Sequence, residues 1–379
     1  MWLSAFPGLR DPPPKAREKL GQGQALSLQR ISLQNAFFNT PVGACPGRNR
    51  RGEMKKKFLI GILVSLVFLY LAFRKVDYTE LWQALKGANY WFIIPNVLLG
   101  ILSMWMRAFR WKYMVNPIKK VGLGRLFSSV MIGFMANNVL PARLGELVRA
   151  YSLGTKENIS KSASFATIVV ERLFDGISIL FILWITLLLF PFPDWVKKGS
   201  NLFLILNFAL LFLLIFLEVK TDSTLKFLQS ILKFLPHRLS TKAQEVLLKF
   251  VSGLKVFRDV SSLIWILAWS ILIWLVIGIS NYFIFLAFGL HPPIQASFIL
   301  LVIVSLGVML PASPGFIGTF QFFCIVSLAT FGYDKNVALP FSILLHACQY
   351  FPVTLLGLYY LRREHLSLKT LEEESVKSE

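Results

Sequence analysis

The chain has 379 residues, of which 55% are hydrophobic and only 16% are charged, whereas an ordinary soluble domain has about 25% charged residues. Residues 260–333 contain no Asp, Glu, Lys or Arg, and a soluble fold could not cover so long a stretch with groups that face water. The composition therefore excludes a soluble protein and predicts an all-α polytopic membrane protein. The formal net charge of +20 comes mostly from basic residues at the ends of apolar segments, which indicates orientation signals and contact with anionic lipid rather than nucleic-acid binding.

The first 53 residues differ from the rest of the chain. They contain 6 of the 18 prolines and 6 of the 24 glycines and show no helical or strand period, which predicts a disordered extension. Met54 is followed by three lysines and an apolar run, a pattern typical of the start of a bacterial inner-membrane protein. We therefore expect Met54 to be the native start and residues 1–53 not to be native. An organelle transit peptide is the alternative, although Pro12–Pro14 would interrupt its amphipathic helix.

The basic linkers between apolar segments predict the topology. The linker 107–125 has six basic residues and no acidic one, and the linker 218–260 has eight basic and four acidic residues, so both are expected in the cytoplasm. Counting from them makes 143–163 cytoplasmic too, so the segment 126–142 would enter and leave at one face. The same counting makes 289–336 a hairpin from the opposite face. The sequence thus predicts six full spans and two re-entrant hairpins, with eight ordinary spans as the alternative.

The two hairpins contain matching breaks. Residues 140–145 and 310–315 both read Leu-Pro-Ala-x-x-Gly. Because each half would hold three spans and one hairpin, the halves should have opposite topology, as in transporters whose broken helices place the substrate near the midplane. We predict one repeat at 54–190, a second at 191–365, and an acidic cytoplasmic tail at 366–379.

The second predicted repeat contains a cytoplasmic insertion at 220–258. Val246, Phe250, Leu254 and Phe257 recur at three- and four-residue spacing, with basic residues between them. This pattern predicts an amphipathic helix, which would either lie on the inner leaflet or pack on a neighbouring helix.

Polar residues cluster around the proline of the first hairpin. Pro141 frees backbone carbonyls, and the helix that restarts after it would point N–H groups towards the break. Such N–H groups together with arginines suit a phosphate; the alternative is that the arginines only anchor the positive side. The residues of this cluster are Asn137, Asn138, Arg143, Glu146 and Arg149.

Glu171, Arg172 and Asp175 interrupt an otherwise apolar helix. Each would cost about 2.5–3.5 kcal/mol near the bilayer centre, so we expect them to face the protein interior or a water-filled cavity. They could bind a headgroup, carry a proton, or form a structural ion pair with Arg143 or Arg149.

The second half offers a weaker counterpart. Aligning Ala163 with Ala338 pairs Glu171 with His346, which shares a helical face with Gln349. We expect His346 to take part in the site or to make an interhelical hydrogen bond.

Three motifs then carry a family resemblance. They are Asn138-x-x-Pro141-x-Arg143-x-Gly145-Glu146-x-x-Arg149, then Glu171-Arg172-x-x-Asp175, then Pro311-x-x-Pro314-Gly315-x-x-Gly318. Over nearly all of 54–365 the chain resembles the flippase-like membrane region of lysylphosphatidylglycerol synthetases. In that family a glutamate usually follows the third motif; here the position is Gln321, which puts a titrating role in doubt. Our candidate substrate-binding residues are Asn138, Arg143, Glu146, Arg149, Glu171, Arg172, Asp175, Gln321 and His346, and the hairpin residues are Pro141, Gly145, Pro311, Pro314, Gly315 and Gly318.

The resemblance implies a protein of the bacterial or archaeal inner membrane, with both termini in the cytoplasm, that translocates or handles an anionic phospholipid or a polyprenyl-phosphate lipid. The aminoacyl-transferase domain of the synthetases is not in this sequence, so we expect no synthesis of aminoacylated lipids. The sequence has no Walker loop and no Asp-x-Asp pair, and we expect neither a metal nor a cofactor. Two alternatives remain: a membrane-embedded enzyme with Glu171 or Asp175 as general base, and a non-transporting partner of a lipid synthase or glycosyltransferase encoded elsewhere.

Overall fold

The computed structural model describes residues 62–74, 76–140, 144–189, 194–221, 237–309, 313–364 and 366, and these residues form α-helices, short 3-10 turns and loops without strands. The predictions for residues 1–53, Pro141, Arg143, Pro311 and 367–379 fall outside these residues and stay predictions. The α-helices are α1 (Ile62–Phe73), α2 (Tyr78–Gly87), α3 (Ile93–Val115), α4 (Leu123–Val139), α5 (Gly145–Glu157), α6 (Lys161–Leu189), α7 (Asp194–Val219), α8 (His237–Gly253), α9 (Val260–Ala287), α10 (Gln295–Gly307), α11 (Thr319–Ala329) and α12 (Lys335–Arg363).

The outer surface of the helices is apolar. Among the described residues, three segments are long and apolar enough to cross a membrane: Tyr90–Val115, Val260–Ala287 and Lys335–Arg363. Large apolar side chains also point outwards on α7, where Phe212 is 73% exposed and Ile205 is 62% exposed. Such a surface is stable against lipid chains and not against water, so the predicted all-α membrane protein is confirmed at this level.

Helices α4 and α5 form an antiparallel hairpin. At its open end Arg125 is paired with Glu157, and further in the Ser129 and Ser152 hydroxyl oxygens lie 3.3 Å apart. Near the tip, the Gly145 amide donates to Asn137 Oδ1 at 2.8 Å. Successive residues of α4 contact residues of α5 with decreasing numbers. The two helices are therefore antiparallel, and the start of α4 lies beside the end of α5.

The second half repeats this order of elements. In each half two short helices, α4 and α5 or α10 and α11, stand between two long ones, and the long helix that follows has 29 residues both times. Helices α10 and α11 pack closely, with Gly307 against the ring of Phe323. The hairpin expected within 126–142 is wrong in its bounds: Leu123–Val139 is a single helix, and the return leg is α5, inside the predicted cytoplasmic linker 143–163. Helices α10 and α11 lie within the predicted 289–336. The number of membrane crossings and the inverted repeat stay predictions.

The halves are joined by direct helix contacts. Asn96 of α3 donates to the Ser280 carbonyl of α9 at 2.8 Å. Where α12 crosses α4, a Cβ on Gly357 would lie 2.3 Å from Met135 Cβ, so only glycine allows this approach. The contacts bring the first hairpin and the long helices of the second half around one interior.

The insertion helix α8 packs on α6. A Cβ on Gly253 would lie 2.3 Å from the Ala163 carbonyl oxygen, and Val251 and Leu254 are buried. Val246 remains 46% exposed. Of the two arrangements expected for this amphipathic helix, the structure shows the second: its buried face packs on the neighbouring helix α6.

The predicted linker 107–125 is wrong at its start. Helix α3 continues to Val115, and Arg107 and Arg110 are buried inside it at 4% and 0% exposure. These arginines are not loop residues that mark the positive side, because carboxylates from α6 neutralise them in the interior (below).

The remaining basic residues of this linker tie it to α5. Lys119 Nζ donates to the Glu157 backbone carbonyl at 2.6 Å, and both Lys119 and Arg125 form ion pairs with the Glu157 carboxylate. Burial raises the pKa of Glu157, but the hydrogen bonds and charges of Arg125 and Lys119 outweigh it and hold the pKa below its ordinary value.

Candidate functional site

Two buried carboxylates of α6 form the centre of the site. Glu171 and Asp175 are 0% and 4% exposed and stand one helical turn apart. Arg149 of α5 binds Glu171 through two parallel hydrogen bonds, Nη1 to Oε1 at 2.9 Å and Nη2 to Oε2 at 2.8 Å. The predicted pairing of Glu171 with Arg149 is confirmed, and its forked geometry is the strong form of this interaction.

Helix α3 supplies two further arginines. Arg110 Nη1 lies 2.7 Å from Asp175 Oδ1 and 2.6 Å from Ser270 Oγ, and its Nη2 lies 3.3 Å from Glu171 Oε1. Arg107 Nη1 lies 3.3 Å from Asp175 Oδ2. Arg110 therefore bridges both carboxylates, and Arg107 extends the cluster towards α4 and α9.

Arg172 completes the cluster from α6 itself. It lies 2.9 Å from Glu171 Oε1 and 3.5 Å from Asp175 Oδ2, and its side chain is 40% exposed. We call Arg107, Arg110, Arg149, Arg172, Glu171 and Asp175 the arginine–carboxylate cluster.

Aromatic rings hold the arginines in place. The Arg149 guanidinium lies 3.8 Å from the Trp111 ring centroid, and Arg107 lies between the rings of Phe134 and Trp274 at 5.4 and 5.3 Å. Trp274 also donates to Asp175 Oδ1 at 3.2 Å. Stacking of this kind suits the planar guanidinium and would not hold a lysine equally well.

The arginine–carboxylate cluster carries more positive than negative charge. Its three buried arginines, Arg107, Arg110 and Arg149, face two buried carboxylates, and their Nε atoms have no hydrogen-bond partner among the described residues. A buried excess of charge is costly unless something compensates it. The cluster is therefore suited to a bound anion.

The tip of the first hairpin is divided between two environments. Asn137 Oδ1 accepts a hydrogen bond from the Gly145 amide, and Asn137 Nδ2 donates to Glu146 Oε1 at 3.3 Å. The Gly145 N–H, at the start of α5, is therefore already bound, although we expected the N–H groups there to be free. Asn138 instead reaches α12, where its Nδ2 lies 2.8 Å from Thr354 Oγ1. Neither amide contacts the arginine–carboxylate cluster directly.

The second hairpin turns on two glycines with left-handed backbone. Gly315, next to Pro314, has φ +69°, and Gly318 has φ +90°. A Cβ on Gly318 would lie 2.4 Å from the Ser65 carbonyl oxygen of α1. Glycine is required here by conformation and by space.

Gln321 and His346 are hydrogen-bonded to each other behind this turn. Gln321 Oε1 accepts from the Gly318 amide at 2.8 Å, so its Nε2 faces His346 Nδ1 at 2.9 Å. Because the amide nitrogen donates, Nδ1 must accept, and His346 is the neutral tautomer protonated at Nε2. These two predicted site residues are brought together, but they do not contact the arginine–carboxylate cluster.

Two cavities meet the arginine–carboxylate cluster. One, of about 280 Å³, lies between the halves and is lined by Arg107, Asn138 and His346 among others; we call it the central cavity. The other, of about 580 Å³, lies between α5, α6 and α8 and is lined by Glu146 and Arg172; we call it the lateral cavity. Since Arg107 and Arg172 both contact Asp175 Oδ2, the cluster links the two cavities.

Arg107, Arg110 and Trp274 were missed in the sequence. The signal was present: Asn96, Gly100, Ser103, Arg107 and Arg110 follow one another at alternating spacings of four and three residues, which places small and polar side chains on one face of α3.

The comparisons with known proteins agree with this architecture. The family described as the lysylphosphatidylglycerol synthase TM region matches residues 58–357. A UPF0104 membrane protein of Methanothermobacter thermautotrophicus is 24% identical over 319 residues, 80% of this chain and 94% of that protein. Another, of Methanocaldococcus jannaschii, is 24% identical over 79% of this chain and 93% of its own length. The glycosyltransferase AglD of Haloferax volcanii is 28% identical over 120 residues, 31% of this chain and 19% of that protein. No solved structure matches the chain.

Proposed function

We propose, from the premise that the chain belongs to the family of the lysylphosphatidylglycerol synthase TM region, that it binds the anionic headgroup of a membrane lipid and moves it between the lateral and central cavities. The positive excess of the arginine–carboxylate cluster carries this proposal. The family is one of lipid-related membrane proteins, and a lipid phosphate would supply the missing negative charge.

The arrangement of the arginines supports a path. Arg172 lines the lateral cavity and Arg107 the central one, and the same Asp175 oxygen binds both. A phosphate that reaches Arg172 competes with Asp175, and one that reaches Arg107 does the same from the other side. The carboxylate would thus hold each arginine while no lipid is bound.

The same contacts speak against the enzyme alternative. Glu171 accepts hydrogen bonds from Arg149 and Arg172 and lies against Arg110. A general base needs an open lone pair within reach of its substrate, and this carboxylate has most of its acceptor sites occupied.

A partner role is the second candidate. It is favoured by the match to the glycosyltransferase AglD, because the region similar to this chain makes up only 19% of that protein. In that role the chain would hold a lipid for an enzyme and would not move it across the membrane.

Reconstitution in vesicles tests the proposal. We expect tail-labelled phosphatidylglycerol to exchange between leaflets, and Arg107→Lys and Arg172→Gln to slow it at least tenfold, because a lysine lacks the paired donors of arginine and glutamine lacks the charge. Arg363→Gln is the control, since Arg363 is exposed at the end of α12 and lines neither cavity. A pH gradient separates downhill from proton-linked movement.

Full exchange rates in both cluster variants, at normal folded yield, would refute the proposal. Binding without exchange in the native protein would favour the partner role.

A further inference from the structure

The central cavity has an unusual charge content. Among the described residues that line it, Arg107 is the charged one, and no Asp or Glu lines it. Asp175 lies behind Arg107 and is already bound to Arg107, Arg110 and Trp274. His346 also lines the cavity and is held neutral by Gln321. The cavity therefore offers one cation and no anion to a ligand.

The rest of its polar lining consists of amides and hydroxyls. Gln349 Nε2 donates to Asn281 Oδ1 at 3.1 Å, and the described residues provide no partner for Gln349 Oε1 or Asn281 Nδ2. Asn281 is buried and Gln349 is exposed, and both line the central cavity. One acceptor and one donor side by side match a hydroxyl group, which both donates and accepts.

The distance between Arg107 and the amides of Asn281 and Gln349 leaves space for the part of a lipid headgroup that lies beyond its phosphate. Trp274, which packs on Arg107, and Asn281 are seven residues apart on α9 and line the same cavity. Seven residues of α-helix span about 10 Å. A phosphate at Arg107 would thus leave room for several further atoms before the amides are reached.

We infer that the lipid taken by the central cavity is a phosphodiester whose headgroup is an uncharged polyol, glycerol or a sugar, and not one that carries an ammonium group. The inference rests on the proposed function. An ammonium group would meet no carboxylate in the cavity that could compensate its lost hydration. A polyol loses only hydrogen bonds to water, which the amides replace.

Binding to the full chain in detergent tests the headgroup. The probes are phosphatidylglycerol, phosphatidylinositol, phosphatidylethanolamine and lysylphosphatidylglycerol with identical acyl chains, and the readout is the rise in melting temperature with lipid concentration. We expect the two polyol lipids to bind at least tenfold more tightly than the two ammonium lipids. The ratio between phosphatidylglycerol and phosphatidylinositol distinguishes a glycerol from a sugar-like ring.

Asn281→Asp sharpens the test. Aspartate keeps the acceptor for Gln349 Nε2 and adds a carboxylate to the cavity, so the preference for polyol lipids should fall at least tenfold. Asn116→Asp is the matched control, because Asn116 is exposed at the end of α3, outside the cavity. It should leave the preference unchanged.

The outcomes separate this inference from the proposed function. Equal binding of ammonium and polyol lipids, or no binding of any of the four, would overturn the inference. A clear polyol preference without exchange in vesicles would uphold it and contradict translocation.

Discussion

Both carboxylate oxygens of Glu171 accept hydrogen bonds from arginines of the arginine–carboxylate cluster. Arg149 takes both oxygens, and Arg172 and Arg110 share Oε1 at 2.9 and 3.3 Å. In a low-dielectric interior these contacts compensate the burial of Arg110 and Arg149, which the chain could not otherwise hold there. Glu171 is thus a structural requirement of the site, whatever the site binds.

Replacing this carboxylate should therefore destabilise the fold. We expect Glu171→Gln to lower the free energy of unfolding by about 3–5 kcal/mol, the usual cost of leaving buried charge unpaired. Glu245→Gln is the control: Glu245 pairs with Lys249 on α8 at 60% exposure, where such a pair contributes about 0–1 kcal/mol. Thermal unfolding in detergent measures both variants, and similar losses in the two would contradict the cluster's structural role.

Part of this cluster could be predicted from sequence because charge is conspicuous inside an apolar run. Glu171, Arg172 and Asp175 stand out in this way. Arg107 and Arg110 do not, since they precede Lys112 and Lys119 and so look like the start of a basic linker. Only their partners on α6, more than sixty residues later in the chain, show that they belong to the interior, and a single sequence does not reveal such pairings.

At the scale of elements, the two proline–glycine breaks separate four short helices that pack as two pairs. The break at residues 140–145 separates α4 from α5, but the counting of basic linkers placed the whole first hairpin within 126–142 and did not predict α5 as its second helix. The contacts from Arg125–Glu157 to Asn137–Gly145 show that α4 and α5 are the two legs. The contact of the second turn with α1 could not be predicted from the sequence. It depends on the close approach of the Gly318 backbone to the Ser65 backbone, and no pattern of side chains marks such an approach.

The close approach at Gly318 can be tested by alanine. Gly318 and Gly332 both have positive φ, +90° and +78°, but a Cβ on Gly332 would meet nothing within 4 Å, whereas one on Gly318 would lie 2.4 Å from the Ser65 carbonyl. Both alanine variants should lose about 1–2 kcal/mol from the left-handed backbone. Gly318→Ala should lose clearly more, because α1 must also move.

Unfolding in detergent and lipid exchange in vesicles measure this difference. Equal stability of the two variants would show that the turn yields freely and that the contact with α1 is unimportant.

At the scale of the whole molecule, eight of the twelve described helices form two sets, α3–α6 and α9–α12, each in the order long, short, short, long. The central cavity is lined by α3 and α4 of the first set and by helices of the second set, and the arginine–carboxylate cluster borders it from the first set. If the two sets have opposite topology, the hairpin tips approach the cavity from opposite faces of the membrane. This is the arrangement in which alternating access requires only small movements of one set against the other.

Cysteine labelling in oriented membranes tests that topology. In a background without the three natural cysteines, we place single cysteines at Lys120 and Thr155, exposed near the open end of the first hairpin, and at His291, exposed before α10. Lys120→Cys and Thr155→Cys should both react from the cytoplasmic face, because α4 and α5 are antiparallel and both residues lie at the open end of the hairpin. His291→Cys should react from the opposite face, since three helices expected to cross the membrane, α6, α7 and α9, lie between Thr155 and His291. Of these, α9 has 28 residues, enough for a hydrocarbon core about 30 Å thick. Labelling of Lys120→Cys and Thr155→Cys from opposite faces would mean that the chain crosses the membrane an odd number of times between them. That result would contradict both the hairpin and the opposite topology of the two sets.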